Sequence, residues 1–198
     1  MKTLVILNGE LKSVEFLKKI SSEFDYIICA DGGYENAKIA EIKPHLVIGD
    51  FDSSKALDYA GEKLVFPTQK DETDGELAVK EAFRRGSSEI VLTCSTGGRI
   101  DHFLANITLL TKFSNLKISE PDQEIYFITE PSEILDKTQK IISIIPFEDS
   151  VISLNGFEYE VKDAEFKKGT TLGMSNVVLK SRAKVDIKSG GVFLVINN

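Results

Sequence analysis

The stretch VIGDFDSS, from Val47 to Ser54, ends an apolar run on two aspartates, Asp50 and Asp52. Short apolar runs rich in β-branched residues are typical of strands that are buried on both faces, as in parallel sheets. In an open parallel sheet, ligands bind where loops leave the carboxyl ends of the strands. Two like charges repel each other there unless a cation neutralises them, and closely spaced carboxylates suit Mg²⁺. The stretch therefore predicts either a cation site at a sheet edge or a solvated acidic turn.

The composition predicts a globular chain. It has 198 residues, 42% of them hydrophobic and 28% charged, which suffices for one large domain or two small ones. The formal net charge of −7 disfavours broad contact with nucleic acid or an anionic membrane, so we expect neither partner. Apolar runs such as YIICA are too short to span a bilayer, and no secretion signal is recognisable, which predicts a cytoplasmic protein.

The pattern of the chain changes near Pro121. Residues 1–121 alternate strand-like runs with segments of helical period, which predicts a doubly wound, mostly parallel α/β sheet domain. Residues 122–198 contain strand-like runs without a convincing helix, which predicts a small C-terminal all-β domain. Within it, Asn155 and Gly156 predict a two-residue type I′ hairpin turn. The predicted helices of the first domain are Val14–Ile20, Tyr34–Ile42, Lys55–Tyr59, Asp74–Arg85 and His102–Phe113.

Four polar loops follow predicted strands of the first domain. Each is rich in glycine, aspartate or serine, which are also ordinary turn residues, so one such loop alone indicates little. Four at the same sheet edge favour a ligand site. The loops are DGG (Asp31–Gly33), GDFDSS (Gly49–Ser54), PTQKDETDGE (Pro67–Glu76) and STGGRIDH (Ser95–His102).

The loop STGGRIDH has the features of a phosphate-binding loop. Its glycines allow backbone N–H groups to approach an anion, Arg99 adds a positive charge, and a predicted helix begins next. A helix N-terminus carries partial positive charge that favours phosphate. The alternative is a plain glycine turn in which Asp101 caps the helix.

The loop before the third long helix supplies another carboxylate. Thr73 and Glu76 have the spacing of a capping box, so we expect Thr73 to cap a helix that begins at Asp74. Asp74 could simply stabilise the helix dipole. It could also join Asp50 and Asp52 at the sheet edge, giving three carboxylates for one or two hard cations.

Several motifs occur together in a recognisable order. They are ADGG (Ala30–Gly33), PHLVIGDFDS (Pro44–Ser53), KDETD (Lys70–Asp74), GGRIDH (Gly97–His102) and SN (Ser175–Asn176). This set resembles the thiamine pyrophosphokinase (thiamine diphosphokinase) family along the whole chain. The resemblance implies an enzyme that transfers a pyrophosphoryl group from ATP to the hydroxyl of thiamine, giving thiamine diphosphate and AMP. It also implies an α/β domain, a β-sandwich, and a homodimer with the active site at the subunit interface.

The resemblance also implies roles for individual residues. Asp50, Asp52 and Asp74 would hold Mg²⁺, and Arg99 and Asp101 would complete the catalytic set. The residues implied for ATP are Asp31, Gly32, Gly33, Lys70, Asp71, Thr96, Gly97, Gly98 and His102, and those implied for thiamine are Ser175 and Asn176. Since the chain has no tryptophan, any aromatic contact with thiamine must come from Phe or Tyr.

Two other functions remain open at this stage. A pyrophosphokinase for another hydroxymethyl heterocycle, such as a pterin, could use the same acidic motifs. A non-catalytic nucleotide-binding regulatory module, or a binder of sugar nucleotides, could also carry an acidic pair. The β domain with its SN motif favours thiamine, and the three aspartates together with Arg99 argue against an inactive site.

Overall fold

The structure is a computed structural model that describes residues 1–50, 59–67, 69 and 71–198. These residues form two compact units, Met1–Pro121 and Asp122–Asn198. No helix in the part of the chain that the structure describes is long and apolar enough to cross a membrane. Asp52, Lys70 and most of the predicted helix Lys55–Tyr59 lie outside the described residues.

The described residues of the first unit form parallel strands and α-helices. The strands are β1 (Lys2–Ile6), β2 (Tyr26–Ala30), β3 (Leu46–Gly49), β4 (Glu62–Val65), β5 (Glu89–Thr93) and β6 (Leu116–Ser119). The helices are α1 (Val14–Ser21), α2 (Gly33–Ile39), α3 (Asp74–Arg84) and α4 (Ile100–Leu109).

The strand order of this sheet reverses at β1. The order is β4-β3-β2-β1-β5-β6, and every neighbouring pair is parallel. The chain therefore moves from β1 toward one edge of the sheet through β2, β3 and β4, and then returns to the other side of β1 at β5. In open α/β sheets, a crevice forms outside the carboxyl ends of the strands at such a reversal.

Apolar burial explains why these segments form strands and helices. After its first residue, β1 is buried on both faces, as expected of a central parallel strand. Leu17 and Ile20 of α1 and Ala37 of α2 belong to one buried cluster with strand side chains. The strand members of this cluster are Leu4, Ile6, Ile27, Cys29, Val47 and Val91.

Local signals set the helix boundaries. As predicted, Thr73 caps α3, since the N–H of Glu76 donates to its Oγ1 at 3.1 Å. The helix α2 ends at Ile39 rather than at Ile42, because Glu41 adopts a left-handed conformation with φ 56°.

Residues 122–198 form two antiparallel sheets. The strands are β7 (Gln123–Ile128), β8 (Ser132–Leu135), β9 (Ile141–Pro146), β10 (Ser150–Asn155), β11 (Val161–Phe166), β12 (Asn176–Val177), β13 (Arg182–Ser189) and β14 (Val192–Asn197). One sheet has the order β12-β9-β14-β7. The other has the order β11-β10-β13-β8.

The two sheets of the second unit contribute to one apolar core. Ile142 and Leu194 of the first sheet belong to the same buried cluster as Ile152, Phe166 and Val185 of the second. Along β10 buried residues alternate with less buried ones, the period expected when one face of a strand points to a core. An α/β unit followed by an antiparallel β unit was predicted, and the prediction is confirmed at this level.

The predicted type I′ turn at Asn155 and Gly156 is wrong. Asn155 remains in β10 and only Gly156 has a positive φ, of 85°, whereas a type I′ turn needs two such residues. The next residue, Phe157, is drawn into the core and bridges Val178, so the chain rejoins the sheet only at Val161. Glycine at position 156 allows close packing against the backbone of β13, since a Cβ there would lie 2.9 Å from the Cα of Ala183.

A buried carboxylate ties α3 to the sheet. Glu81 accepts hydrogen bonds from Arg84 and Arg85, with Nε–Oε distances of 2.7 and 2.6 Å. Arg85 also donates to Glu62 of β4 at 2.5 Å and lies over the ring of Tyr26. The hydrogen bond from Arg84 is the main reason that the pKa of Glu81 is held below its ordinary value. This carboxylate therefore stabilises the fold in its ionised form.

We predict that Glu81→Gln lowers the free energy of unfolding at neutral pH by about 2 kcal/mol, since it weakens charge-assisted hydrogen bonds. Because the folded-state pKa is depressed, the contribution is complete above the ordinary Glu pKa and is lost as the pH falls through the depressed value. The gap between wild type and variant should then shrink below a pH of about 4. Urea unfolding at several pH values measures this gap.

The matched control is Glu41→Gln, which removes an exposed ion pair to Lys18 in the same unit. We expect little change, because exposed pairs contribute at most about 1 kcal/mol. A gap between wild type and Glu81→Gln that stays constant into the acid range would contradict the role assigned to Glu81.

Candidate active site

A cavity of about 370 Å³ lies at the carboxyl ends of the strands in the first unit. Its walls come from the segments that follow β1, β2 and β5 and from the first turns of α3 and α4. These segments meet where the strand order reverses between β1 and β5. The fold therefore places the cavity where an open α/β sheet binds its ligand.

Five of the residues predicted for the site line this cavity, namely Asp31, Asp74, Gly98, Arg99 and His102. Other predicted residues of the first unit are described but do not line it: Asp50, Gly32, Gly33, Asp71, Thr96, Gly97 and Asp101. Ser175 and Asn176 belong to the second unit. Asp52 and Lys70 fall outside the described residues.

Asp31 stands at the junction of three strand ends. It follows β2 with φ 48°, and its N–H donates to the carbonyl of Ile48 in β3 at 2.7 Å. Its carboxylate accepts a hydrogen bond of 3.2 Å from the side chain of Asn8, which follows β1. A Cβ on Gly49 would lie 3.5 Å from the Cα of Asp31, so the ends of β2 and β3 are close together. Asp50 directly follows Gly49, the last residue of β3. The carboxylates of Asp31 and Asp50 therefore extend from the ends of adjacent strands.

The two glycines after Asp31 have a packing reason to be glycine. A Cβ on Gly33 would lie 2.0 Å from the carbonyl oxygen of Ile6, and one on Gly32 would lie 2.1 Å from Oδ1 of Asn8. Real Cβ atoms do not approach so closely, so a larger residue at position 33 would push α2 away from the backbone of β1, and one at position 32 would displace the side chain of Asn8. This close approach explains the DGG motif without a ligand.

The loop between β5 and α4 presents an ion pair at the cavity. Nη2 of Arg99 lies 2.5 Å from Oδ2 of Asp101, and both side chains are exposed. Their hydrogen bond is the main cause that raises the pKa of Arg99 and lowers that of Asp101. Arg99 holds the N-cap position and Asp101 is the second residue of α4, but Oδ1 of Asp101 accepts a hydrogen bond of 3.0 Å from the N–H of His102 in the first turn. The alternative in which Asp101 caps this helix is therefore confirmed in part, since its carboxylate satisfies a first-turn N–H without occupying the N-cap position.

The segment after β1 belongs to the site, although its sequence was not singled out. Asn8 and Gly9 line the cavity. The N–H of Gly9 donates to the carbonyl of Cys94 at 2.7 Å, and a Cβ at this glycine would lie 2.3 Å from that oxygen. Buried Asn36 of α2 holds the same segment, since its Nδ2 donates to the carbonyls of Leu7 and Gly9, each at 3.0 Å. The sequence signal for this segment was the Asn-Gly pair after the first strand, which is typical of a turn at a strand end.

Asn106 is a second residue that sequence reasoning missed. It lines the cavity although only 7% of its surface is exposed, so its amide belongs to the cavity wall. It follows His102 by four residues on α4, and residues four apart share one face of a helix. This spacing was the signal in the sequence. Asn106 also lies close to the start of α3, where a Cβ on Gly75 would be 3.2 Å from its Oδ1.

The donor set at the cavity fits a hard cation. Asp31 and Asp74 supply carboxylate oxygens, which Mg²⁺ prefers. Cys94 also lines the cavity, but burial and the nearby charge of Glu120 raise its pKa to about 12, so it stays protonated and is a poor ligand. Among the described residues, no group of three His, Cys, Asp or Glu side chains could hold a metal ion. Asp52, the third predicted ligand with Asp50 and Asp74, is not among them.

In the second unit, the SN motif holds a neighbouring loop. Asn176 is only 3% exposed, and its side-chain amide accepts from the N–H of Tyr159 at 3.0 Å and donates to the carbonyl of Tyr159 at 2.9 Å. Its two amide atoms are thus bonded to backbone. Tyr159 itself is 64% exposed. Ser175 has φ 55°, and its N–H donates to Ser143.

Comparisons with known proteins agree with this architecture. A model described as "Thiamin pyrophosphokinase, catalytic domain" matches residues 17–120, and one described as "Thiamin pyrophosphokinase, vitamin B1 binding domain" matches residues 128–192. The chain is 32% identical to the thiamine pyrophosphokinase of Bacillus subtilis, over 98% of each protein. It is 25% identical to thiamin pyrophosphokinase 1 of Caenorhabditis elegans, over 96% of this chain and 86% of that protein.

Solved structures add a likeness of fold. The crystal structure of thiamine pyrophosphokinase from Bacillus subtilis matches with a TM-score of 0.85 and 27% identity, over 100% of this chain and 99% of that chain. Yeast thiamin pyrophosphokinase matches with a TM-score of 0.79 at 18% identity, over 99% and 86% of the two chains, and this match shows the fold alone. The family that the sequence motifs predicted is confirmed. The chain belongs to the thiamine pyrophosphokinase family.

Proposed function

We propose that this chain transfers a pyrophosphoryl group from ATP to the hydroxyl of thiamine in a Mg²⁺-dependent reaction that leaves AMP. Membership in the family gives ATP-dependent formation of thiamine diphosphate, so the prediction of an enzyme of this class is confirmed. The proposal adds the metal, the AMP product and the residues that act. The observation that carries it is the cavity at the reversal of strand order, where carboxylates, a glycine loop and an arginine meet.

The loop after β5 is suited to bind the phosphates of ATP. Gly98 and Arg99 line the cavity, and α4 begins directly after them, so backbone N–H groups and the helix dipole favour an anion there. The hydroxyl of Thr96 is buried, and it has no hydrogen-bond partner in the described part of the chain. We assign Thr96, Gly97, Gly98 and Arg99 to the phosphates. Asp31 and His102 would contact the rest of the nucleotide.

Three aspartates would hold the cation. Asp74, which lines the cavity, would together with Asp50 and Asp52 give Mg²⁺ the all-oxygen ligands that it prefers. Bound there, the ion would neutralise charge on the phosphates of ATP. Without it, Asp31 and Asp74 at the cavity wall would repel a polyphosphate.

Positioning accounts for most of the proposed catalysis. The alcohol of thiamine needs an in-line approach to the β-phosphorus, and fixed geometry lowers the barrier to such an attack. Arg99 would stabilise charge on the transferred group with its planar guanidinium fork. Asp101 has a lowered pKa and pairs with Arg99, so it is a weak base. We therefore propose that Asp101 holds the side chain of Arg99 in position and does not accept the proton of the alcohol.

The second unit would bind thiamine through an exposed aromatic residue. Buried Asn176 fixes both backbone groups of Tyr159, and the ring of Tyr159 is exposed. Flat heterocycles stack on such rings. We propose that Tyr159 contacts thiamine, that Asn176 holds Tyr159, and that Ser175 lies at the same site. A homodimer with the active site at the subunit interface would bring this surface to the ATP loops.

We also propose that the first unit is doubly wound and that the second unit is a β-sandwich. None of the buried residues of α3, such as Leu77, Ala78 and Ala82, belongs to the cluster that α1 and α2 share with the sheet. This supports helices on both faces of the sheet, a doubly wound arrangement. The apolar core common to its two sheets supports a β-sandwich in the second unit. The cytoplasmic location stays a prediction.

We predict that the purified protein, given Mg²⁺, ATP and thiamine, releases AMP in an amount equal to the thiamine consumed. Without thiamine little AMP should form, because water is poorly placed to replace a positioned alcohol. Chromatography of the nucleotides measures this ratio. ADP as the product would exclude pyrophosphoryl transfer. AMP release driven better by a hydroxymethylpterin would favour the pterin enzyme, and nucleotide binding without turnover would favour the regulatory module.

We predict that Asp74→Asn keeps the fold but lowers kcat strongly. The loss of about 3 kcal/mol of charge stabilisation at a metal site corresponds to about 100-fold in rate. If Asp74 only stabilised the helix dipole, the variant would lose at most about 1 kcal/mol of stability and keep its activity. Steady-state kinetics over a range of Mg²⁺ concentrations, with thermal unfolding, separates the two roles. Asp163→Asn, an exposed aspartate of the second unit, is the control that should change neither.

We predict that Tyr159→Ala raises the KM for thiamine by about 10-fold, since it removes one stacking contact worth on the order of 1 kcal/mol. The Kd for ATP should not change, because Tyr159 lies outside the unit that holds the phosphate loop. Tyr159→Phe keeps the ring and should restore the wild-type KM. An equal change in thiamine and ATP binding would argue against this contact.

A further inference from the structure

Glu120 is a carboxylate almost entirely removed from solvent, with 1% of its surface exposed. It follows β6, next to β5 in the sheet. Both the N–H and the Oγ–H of Ser95 donate to its Oε1, each at 2.7 Å. A buried carboxylate is costly unless hydrogen bonds compensate it, and here they come from Ser95, which lines the cavity.

Ser95 is the residue at which the loop after β5 turns into the cavity. The preceding residue, Cys94, has φ 53°, a left-handed conformation that a side chain disfavours. Such a residue keeps its conformation only when its surroundings hold it there. On one side, the N–H groups of Gly9 and Glu10 donate to the carbonyls of Cys94 and Thr96, each at 2.7 Å. On the other side, Glu120 holds Ser95.

We propose that Glu120 is a positioning residue for phosphate binding: through Ser95 it fixes the path of the loop that carries Gly98 and Arg99 into the cavity. This inference rests on the proposed binding of ATP phosphates by that loop. Two charge-assisted hydrogen bonds to one oxygen leave Ser95 little freedom. The loop is therefore preorganised in its binding conformation before ATP binds, which reduces the free-energy cost of ordering the loop on binding.

Electrostatics alone predicts an effect of the opposite sign. In its ionised form Glu120 lies behind Ser95, which lines the cavity, so its charge by itself would disfavour a polyphosphate. If charge were its main effect, neutralising it would tighten ATP binding. If positioning is its main effect, neutralising it weakens ATP binding. The direction of the change in the Kd for ATP thus separates the two.

The experiment compares Glu120→Gln and Glu120→Ala with the control Glu81→Gln, all in the full chain. Glu81 is also a buried glutamate with charged hydrogen bonds, but these come from Arg84 and Arg85, whereas those of Glu120 come from Ser95 of the loop. The readouts are the Kd of Mg²⁺–ATP by calorimetry, the KM of thiamine, and hydrogen exchange of the Ser95 amide without ligand. Ser95→Ala, which removes only the hydroxyl donor, serves as a further variant if the Glu120 variants fold poorly.

We expect Glu120→Ala to weaken ATP binding by about 10- to 100-fold, the effect of a small displacement of binding groups, and Glu120→Gln to weaken it less. The Ser95 amide should exchange faster in both, Ser95→Ala should also weaken ATP binding, and the KM of thiamine should not change. Unchanged or tighter ATP binding, or an equal loss in Glu81→Gln, would overturn the inference. A wild-type protein without ATP binding would instead overturn the proposed function, while the Ser95 exchange still reports whether Glu120 holds the loop.

Discussion

The hydrogen bond from the N–H of Gly9 to the carbonyl of Cys94, 2.7 Å long, joins the ends of β1 and β5. At this point the strand order reverses, and in open α/β sheets a crevice forms at such a reversal. The contact requires glycine at position 9, because a Cβ would lie 2.3 Å from the carbonyl oxygen. Asn36 fixes one side of the contact and Glu120 the other. The shape of the cavity depends on this contact between the backbones of Gly9 and Cys94.

The charge of the cavity sets the chemistry that it can perform. The chain carries a net charge of −7, and the cavity wall includes Asp31 and Asp74. A polyphosphate can bind such a wall only with help from a cation, from Arg99 and from backbone N–H groups. Because Arg99 pairs with Asp101 at 2.5 Å, part of its charge is already compensated. The balance between acidic groups and phosphate is therefore the reason to expect a divalent cation in the reaction.

The SN motif contains an asparagine that holds a neighbouring loop, although its sequence pattern predicts a contact with ligand. Its asparagine is predicted to contact thiamine, and the structure shows that the amide of Asn176 is bonded to both backbone groups of Tyr159. A buried amide with both atoms satisfied is a structural anchor, and the exposed group that it presents is the ring of Tyr159. The motif thus directs attention to a residue that lies 17 positions earlier in the chain.

The sequence by itself determined the existence of the strands β1–β6 and of the helices α1–α4 in the described part of the first unit, the change of character near Pro121, the family, and the loops around Asp31, Asp74 and Arg99. These follow from apolar periodicity, helix caps and motif order, which are local properties of the chain. Only the tertiary structure decided that Gly9 and Asn106 line the cavity, that Asn36 and Glu120 hold segments of its wall, and that Asn155 and Gly156 do not form a type I′ turn. Those facts depend on which atoms of distant segments come within hydrogen-bond or van der Waals distance, as Glu120 does with Ser95, and no local pattern encodes such distances.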